Sequence, residues 1–134
     1  MTPVLAAAIL ACAPSPSAIT GDTFQCGTEV IRLAGIRAPQ ATQCPIDDKG
    51  CFVGDADKAR AQLALFLRGT GLTIQRYGHD DKGQTLAIVW SATLTVNCEL
   101  MNFGEAEHDA RSDVRELVAG CIRMDEDIPN GRAK

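Results

Sequence analysis

The sequence predicts a mainly β domain of the α+β class: a five-stranded OB-type Greek-key barrel with three helices. Short apolar or alternating runs separated by glycine and proline turns are typical of small barrels. One long helical pattern, at residues 55–68, falls between the third and fourth of five such runs. Two further helical patterns follow the last run. A closed sheet capped by the inserted helix accounts for this order of elements.

The first elements form a hairpin. Residues 21–26 are predicted as a strand, a turn follows at Gly27-Thr28, and residues 29–36 form a second strand. A loop closed by Pro39 comes next, and the polar segment up to residue 54 is rich in proline, glycine and aspartate. Because both strands deliver polar residues at their ends, this hairpin is the stretch around which we expect a site to form.

The remaining elements follow from periodicity and end signals. Asp55 is a good N-cap for a helix ending before Gly69, with apolar residues at helical spacing on one face. Residues 72–75 alternate as a strand does, residues 78–83 form a turn, and residues 85–90 form a buried strand. A short helix is predicted over 96–103 and a final helix over 109–119.

Composition limits the class of protein. The 134 residues suffice for one domain, with 46% hydrophobic and 22% charged residues, which is typical of a folded chain rather than a disordered one. A net charge of −4 argues against binding nucleic acid through a general basic surface, so such a role needs a locally positive groove. We divide the chain into a terminal segment 1–13, a domain 14–124 and a flexible tail 125–134.

The six cysteines and the N-terminal segment both favour export. An even cysteine count suits disulfides in an oxidising compartment, and Cys44 and Cys51, which bracket a polar segment, are the predicted pair. Residues 4–13 are apolar but too short to span a bilayer as a helix, and they end in the small-x-small pattern of a signal-peptide cleavage site. The alternatives are a retained apolar segment and a cytoplasmic protein. No integral membrane span is predicted.

Several short sequence motifs follow one another along the chain. They are Gly21-Asp22-Thr23, the hexapeptide IRLAGI at 31–36, Ala38-Pro39, the octapeptide DDKGQTLA at 80–87, and Val96-Asn97 before Gly104. Together with the helix that begins at Asp55, the order and spacing of these motifs make the chain resemble the staphylococcal-nuclease-like (thermonuclease) family over about residues 14–120. The resemblance implies the same OB-type fold and an ancestral calcium-dependent endonuclease activity.

The resemblance also assigns roles to positions. Asp22 falls on a metal-ligating aspartate and Arg32 on a phosphate-binding arginine. Arg37 stands where a second metal-ligating aspartate is expected, Gln40 where a water-activating glutamate is expected, and Gln84 where a second phosphate-clamping arginine is expected. Lys82, two residues before Gln84, is a further phosphate-binding candidate.

These departures bear directly on the chemistry. A hard divalent cation needs several anionic oxygens, yet Arg37 brings a fixed positive charge, which we expect to pair with Asp22 in place of the ion. Gln40 has no usable basicity, although a general base contributes roughly 10²–10⁴-fold to a rate. Gln84 cannot neutralise a developing charge as a guanidinium does. The sequence therefore indicates a pseudoenzyme without a cofactor.

Three functional hypotheses remain open at this point. The leading one is a protein of the nuclease fold that has lost hydrolysis and acts by binding. Its ligand is a single-stranded nucleic acid or phosphate group held by Arg32, Arg37 and Lys82, or a protein partner. The second is an active or residual metal-dependent phosphodiesterase that uses Ca²⁺ through a rebuilt centre. The third is a disulfide-stabilised structural or interaction module. Independently of these hypotheses, Arg32 has a structural alternative, in which it pairs with Asp22 or Glu29. Carboxylates available to the second hypothesis are Asp47, Asp48, Asp80 and Asp81.

Overall fold

The fold is an α+β arrangement of two α-helices on a mixed β-sheet, seen in a computed structural model. The structure describes residue 12 and residues 15–39, 52, 54–69, 71–92, 94–115, 118 and 120–121. The strands are β1 (Ser17–Ala18), β2 (Thr23–Cys26), β3 (Glu29–Leu33), β4 (Ile36–Arg37), β5 (Leu72–His79), β6 (Thr85–Ser91), β7 (Leu94–Thr95) and β8 (Glu107–His108). The helices are α1 (Ala56–Leu67) and α2 (Val96–Asn102), followed by a 3₁₀-helix at Ala110–Ser112.

The main sheet follows the order β1-β2-β3-β6-β5, and β7 pairs with β6. β2 and β3 form the predicted antiparallel hairpin, with Thr23 opposite Arg32. β3 and β6 run parallel, because the chain passes through α1 and β5 before returning beside β3. Within the described ranges, β1 and β5 form the two edges of the sheet and do not pair with each other. The predicted closed barrel is therefore not seen there.

The core lies between the sheet and the two helices. Phe24, Ile31 and Leu33 of the hairpin are fully buried, as are Leu63 of α1 and Leu100 of α2. The helix α1 buries residues spaced four apart, Ala59, Leu63 and Leu67, as its sequence pattern predicts. Asp55 caps this helix by accepting a hydrogen bond from the Lys58 amide at 3.0 Å, which confirms the predicted start.

The predicted strand over 29–36 is interrupted. Ala34 and Gly35 form a turn, with Gly35 at a φ of +80°, and the chain then enters β4 in a separate two-stranded sheet with β8. Gly35 fits here because its lack of a Cβ allows both the positive φ and the close approach of Val118, 2.5 Å from where a Cβ would lie. The turn therefore redirects the chain towards the cleft described below.

The prediction of a helix over 109–119 is wrong for its first residues. Residues 110–112 form a 3₁₀-helix instead, and Arg115 has a φ of +55°, which no α-helix contains. The backbone hydrogen bonds go to tertiary partners: the Gly35 amide donates to both the carbonyl and the hydroxyl of Ser112, at 3.1 and 3.0 Å. Residues 116, 117 and 119 of the predicted helix lie outside the described residues.

Two disulfides join described cysteines, Cys12–Cys26 and Cys98–Cys121. They are compatible with a protein exported to an oxidising compartment. The predicted pair, Cys44 and Cys51, lies outside the described residues, as does the terminal segment 1–13 except for Cys12. In the part of the chain that the structure describes, no helix is long and apolar enough to cross a membrane.

Candidate functional site

One cleft of about 580 Å³ gathers five of the predicted site residues. They are Asp22, Arg32, Arg37, Lys82 and Gln84, which come from the hairpin, from β4 and from the turn before β6. Gln40 lies outside the described residues, so its position relative to the cleft is not described. Residues that are distant along the chain thus share one surface.

Tight packing at Gly21 sets the position of the residue that follows it. A Cβ at Gly21 would lie 2.6 Å from the Cβ of Ala59 in α1 and 2.7 Å from that of Ala38. Such contacts are closer than packed carbon atoms tolerate, so only glycine lets the chain pass between the helix and the segment after β4. Asp22 is thereby placed at the floor of the cleft, where its residue is 8% exposed.

The Asp22 carboxylate is fully engaged by the protein itself. Oδ1 accepts hydrogen bonds from the hydroxyls of Thr20 and Thr23, at 3.0 and 2.8 Å, and Oδ2 accepts one from the Ala38 amide at 2.9 Å. These contacts fasten the start of β2 to the chain that leaves β4. Asp22 therefore has a structural role, whatever else it does.

Arg32 lies inside a ring of acceptors. Its Nη2 donates to the Ile36 carbonyl oxygen at 3.0 Å and lies 3.4 Å from Oδ2 of Asp109, while its Nε lies 3.9 Å from Oδ1 of Asp22. Of the two structural partners considered from the sequence, Asp22 is therefore near Arg32. Glu29 instead binds Arg76 through both carboxylate oxygens.

Arg37 pairs with Glu107 and not with Asp22, so the predicted replacement of a metal ion by an Arg37–Asp22 pair is wrong. The cause is the pairing of β4 with β8, which sets Arg37 directly opposite Glu107. Opposite residues of an antiparallel pair have neighbouring side chains, and opposite charges at such positions attract. The sequence did not reveal this contact because the two residues are 70 positions apart.

The turn before β6 presents Lys82 and Gln84 to the cleft. Oδ1 of Asp80 accepts hydrogen bonds from the amides of Lys82 and Gln84, at 2.9 and 2.8 Å, and the Asp80 amide donates to the Gln84 carbonyl oxygen. An aspartate that accepts from the amide two residues ahead forms an Asx-turn, which fixes the loop conformation. Lys82 is exposed, and Gln84 is half-buried at the edge of the cleft.

The charges that line the cleft are balanced. The cationic side chains are those of Arg32, Arg37, Arg60, Lys82 and Arg111, and the anionic ones are those of Asp22, Asp57, Asp80, Asp81 and Asp109. Among described residues, Lys82 and Arg111 are the two of these cations without a carboxylate within 4 Å. The free positive charge of the cleft is therefore at its rim.

The donor set does not fit a calcium ion. Calcium takes six to eight oxygen ligands, with several carboxylates among them. Here the oxygens of Asp22 are committed to the Thr20, Thr23 and Ala38 donors, and a guanidinium occupies the position of the second expected carboxylate. In the described ranges no group of three or more His, Cys, Asp or Glu side chains is placed to hold a metal ion. Asp47 and Asp48 lie outside those ranges.

Several charged residues at the cleft were not predicted from the sequence. Asp57 and Arg60 of α1, Asp109, and Arg111 of the 3₁₀-helix line it, and Glu107 reaches it through its ion pair with Arg37. Glu107 and Asp109 did carry a signal, because their spacing of two puts both on one side of an extended segment. That spacing cannot indicate which face of the domain the segment crosses.

No protein-family model matches this chain, and no curated protein is significantly similar to it in sequence. The resemblance to the staphylococcal-nuclease-like family therefore stands on the quoted motifs alone.

Proposed function

We propose that this chain is a staphylococcal-nuclease-like domain that lacks calcium-dependent hydrolysis and binds phosphate groups of a single-stranded nucleic acid in its cleft. The observation that carries the proposal is the convergence of Asp22, Arg32, Arg37, Lys82 and Gln84 in one cleft with Arg37 paired to Glu107. The same positions would form a hydrolytic centre if carboxylates and arginine stood where Arg37, Gln40 and Gln84 stand.

An OB-type barrel is part of the proposal. An OB-fold is a partly open, five-stranded Greek-key barrel. The order β1-β2-β3-β6-β5, with α1 inserted between the hairpin and the last two long strands, supports this assignment.

Loss of hydrolysis is supported by the chemistry of three positions. Arg37 repels a divalent cation, and its pairing with Glu107 engages a carboxylate that a rebuilt centre could otherwise use. Gln84 has no charge with which to stabilise the transition state, and metal ions and arginines contribute most of that stabilisation in phosphoryl transfer. Gln40 cannot serve as a general base.

Binding is supported by the cations that remain. Arg32 and Arg37 present guanidinium groups, whose fork of N–H donors matches phosphate oxygens. Lys82 adds an exposed ammonium at the rim with no carboxylate within 4 Å among the described residues. Because the total lining charge is balanced, the binding is expected to be weak and sensitive to salt.

The test pairs a cleavage assay with a binding assay on the purified protein. Single-stranded DNA is incubated with and without calcium, with the wild type and with a variant carrying Arg37→Asp, Gln40→Glu and Gln84→Arg. Binding of a labelled oligodeoxythymidylate of about twelve nucleotides is followed by fluorescence anisotropy at low and moderate salt. We expect no calcium-stimulated cleavage by the wild type, cleavage by the variant, and salt-dependent binding by the wild type.

Lys82→Ala provides the matched binding variant because this side chain is exposed and makes no structural contact in the described residues. It should weaken binding by roughly fivefold and reduce the salt slope by about 0.7. Arg68→Ala, an exposed cation outside the cleft, serves as the control and should change neither quantity. Calcium-stimulated cleavage by the wild type that is abolished in Asp22→Ala would contradict the loss of hydrolysis. Failure to bind at any salt would favour an interaction module instead.

A further inference from the structure

One short segment neutralises two of the arginines that line the cleft. Glu107 and Asp109 belong to β8 and the residue after it, and they pair with Arg37 and Arg32 respectively. The two carboxylates lie two residues apart in an extended segment, so they project to the same side. A single stretch of three residues therefore covers both guanidinium groups.

The segment is held in place independently of those ion pairs. The Asp109 amide donates to the Gly35 carbonyl oxygen at 2.8 Å, and the Gly35 amide donates to the Ser112 carbonyl oxygen at 3.1 Å. The Ser112 hydroxyl donates to Oδ2 of Asp109 at 3.1 Å, which orients that carboxylate. His108 adds a contact of 2.8 Å to Oδ2 of Asp113. Hydrogen bonds other than the two ion pairs therefore hold the carboxylates beside the arginines.

These ion pairs are accessible to exchange. The side chains of Arg32 and Arg37 are 20% and 26% exposed, and those of Asp109 and Glu107 are 15% and 38% exposed. Ion pairs at the protein surface contribute at most about 1 kcal/mol each, and the Arg37–Glu107 pair, the more exposed of the two, is nearer to that case. Carboxylate and phosphate oxygens also accept from a guanidinium with the same paired geometry. A phosphate can therefore take the place of a carboxylate on its arginine, and at Arg37 at the smaller cost.

We propose that residues 107–109 act as an internal competitor, whose carboxylates occupy the anion-binding positions of the cleft until a polyanionic ligand displaces them. This inference rests on the proposed function, since it concerns the same cleft and the same phosphate-bearing ligand. The segment lowers the affinity for any single anion, because each phosphate must replace a carboxylate that is already in place. It selects ligands that bring two or more phosphates, because these can displace both carboxylates together.

The experiment measures the binding of the labelled oligodeoxythymidylate by Glu107→Gln and by Asp109→Asn, alone and combined. Both substitutions keep the shape of the side chain and remove its charge, and an asparagine at 109 still accepts the bond that Asp109 receives from the Arg111 amide. Each variant should bind roughly threefold more tightly than the wild type. The salt slope should become steeper by about 0.7 for each arginine released.

Glu99→Gln is the matched control. It makes the same chemical change and the same change in net charge, but Glu99 lies on α2, away from the cleft. Its affinity and salt slope should equal those of the wild type; a gain equal to that of Glu107→Gln would show a general charge effect and overturn the inference. Thermal melting of each variant establishes that it is folded, and if Asp109→Asn does not fold, Glu107→Gln decides alone.

The outcomes separate this inference from the proposed function. If the wild type binds and neither charge-removing variant binds more tightly, the inference is overturned and the proposed function stands. Binding by Glu107→Gln or Asp109→Asn without measurable binding by the wild type supports the inference and overturns the proposed function for the natural sequence. Absence of binding by every protein overturns both.

Discussion

Asn97 shows how much of this fold rests on one polar side chain. It is fully buried in α2, where Oδ1 accepts from the Val89 amide at 3.0 Å and Nδ2 donates to the carbonyl oxygens of Ala34 and Ala87. Those backbone groups belong to β6 and to the turn after β3. Because β6 and the turn position Arg32 and Arg37, the amide of Asn97 supports the cleft from the opposite side of the sheet.

Asn97→Ala should destabilise the protein by about 3 kcal/mol, because it removes three buried hydrogen bonds, to the Val89 amide and to the carbonyl oxygens of Ala34 and Ala87, of which the Ala87 oxygen keeps its bond from the Ala34 amide. Urea unfolding followed by circular dichroism measures this loss. Asn102→Ala, on the same helix but exposed, removes only a 3.4 Å contact with Glu99 and should change stability by less than about 0.5 kcal/mol. Equal losses in the two variants would contradict this account of Asn97.

Glu29 gives the protein an acid-sensitive contact outside the cleft. Hydrogen bonds from Arg76, and then from Thr85, hold the pKa of the Glu29 carboxyl below its ordinary value, although partial burial opposes them. A lowered carboxyl pKa means that the stabilisation is present above the unfolded value and is lost as the pH falls through the folded value. Both side chains are about one-third exposed or more, so the contribution stays below about 1 kcal/mol.

The corresponding variant is Glu29→Gln. At neutral pH it should be less stable than the wild type by a few tenths of a kcal/mol, and this difference should decrease as the pH falls below the ordinary carboxyl pKa and disappear below the lowered pKa of the folded protein. Unfolding free energies measured in urea at neutral and at acid pH test the direction of this change. A difference that grows in acid would show that the ionised form of Glu29 is not the stabilising one.

At the scale of single elements, α1 was the most predictable part of the chain. Its cap, its apolar spacing and its glycine stop all lie within the helix or next to it, so the sequence contains every signal that sets its ends. Its first turns also supply Ala56, Asp57 and Arg60 to the cleft wall. The start of α1 is therefore a place where local stability and the site are linked.

Asp55→Ala should cost about 1 kcal/mol, because the amide of Lys58 loses its acceptor. Asp55→Asn keeps an oxygen in the same place and should stay within a few tenths of a kcal/mol of the wild type. Thermal or urea unfolding distinguishes the two variants. The cap would be shown to be unimportant if alanine and asparagine behaved alike.

The short strands were beyond prediction for a physical reason. β4 and β8 have two residues each, too few to show the alternation that identifies a strand. What makes them strands is their pairing, Ile36 with His108 and Arg37 with Glu107, across some seventy positions of chain. The same pairing placed Glu107 on Arg37, which is why the expected Arg37–Asp22 contact was wrong.

At the scale of the whole molecule, the disulfide Cys12–Cys26 ties the N-terminal region to the end of β2. Cleavage after Ala13, as the small-x-small pattern suggests, would remove Cys12 and make this bond impossible. The bond and that cleavage therefore exclude each other in one molecule. A protein exported with the bond intact must begin at or before residue 12.

Peptide mapping of the exported protein without reduction should recover a fragment in which Cys12 is linked to Cys26. Because the bond closes a loop with a sequence separation of 14, Cys12→Ser with Cys26→Ser should cost about 3 kcal/mol of stability. Cys98→Ser with Cys121→Ser, which opens the longer separation of 23, is the comparison and should cost slightly more. A mature chain that begins at residue 14 would contradict the expected linkage.

The sequence by itself determined the α+β composition, the β2–β3 hairpin, α1, α2, β6 and the first half of β5. These elements follow from caps, turns and periodicities that act over a few residues. The residues Asp22, Arg32, Arg37, Lys82 and Gln84, which meet in the cleft, were instead picked out by the resemblance to the staphylococcal-nuclease-like family. Only the tertiary structure decided the break at Gly35, the 3₁₀-helix at the beginning of the predicted third helix, and the carboxylates that pair with Arg32 and Arg37. Those features depend on hydrogen bonds and ion pairs between segments distant in sequence, which local patterns do not encode.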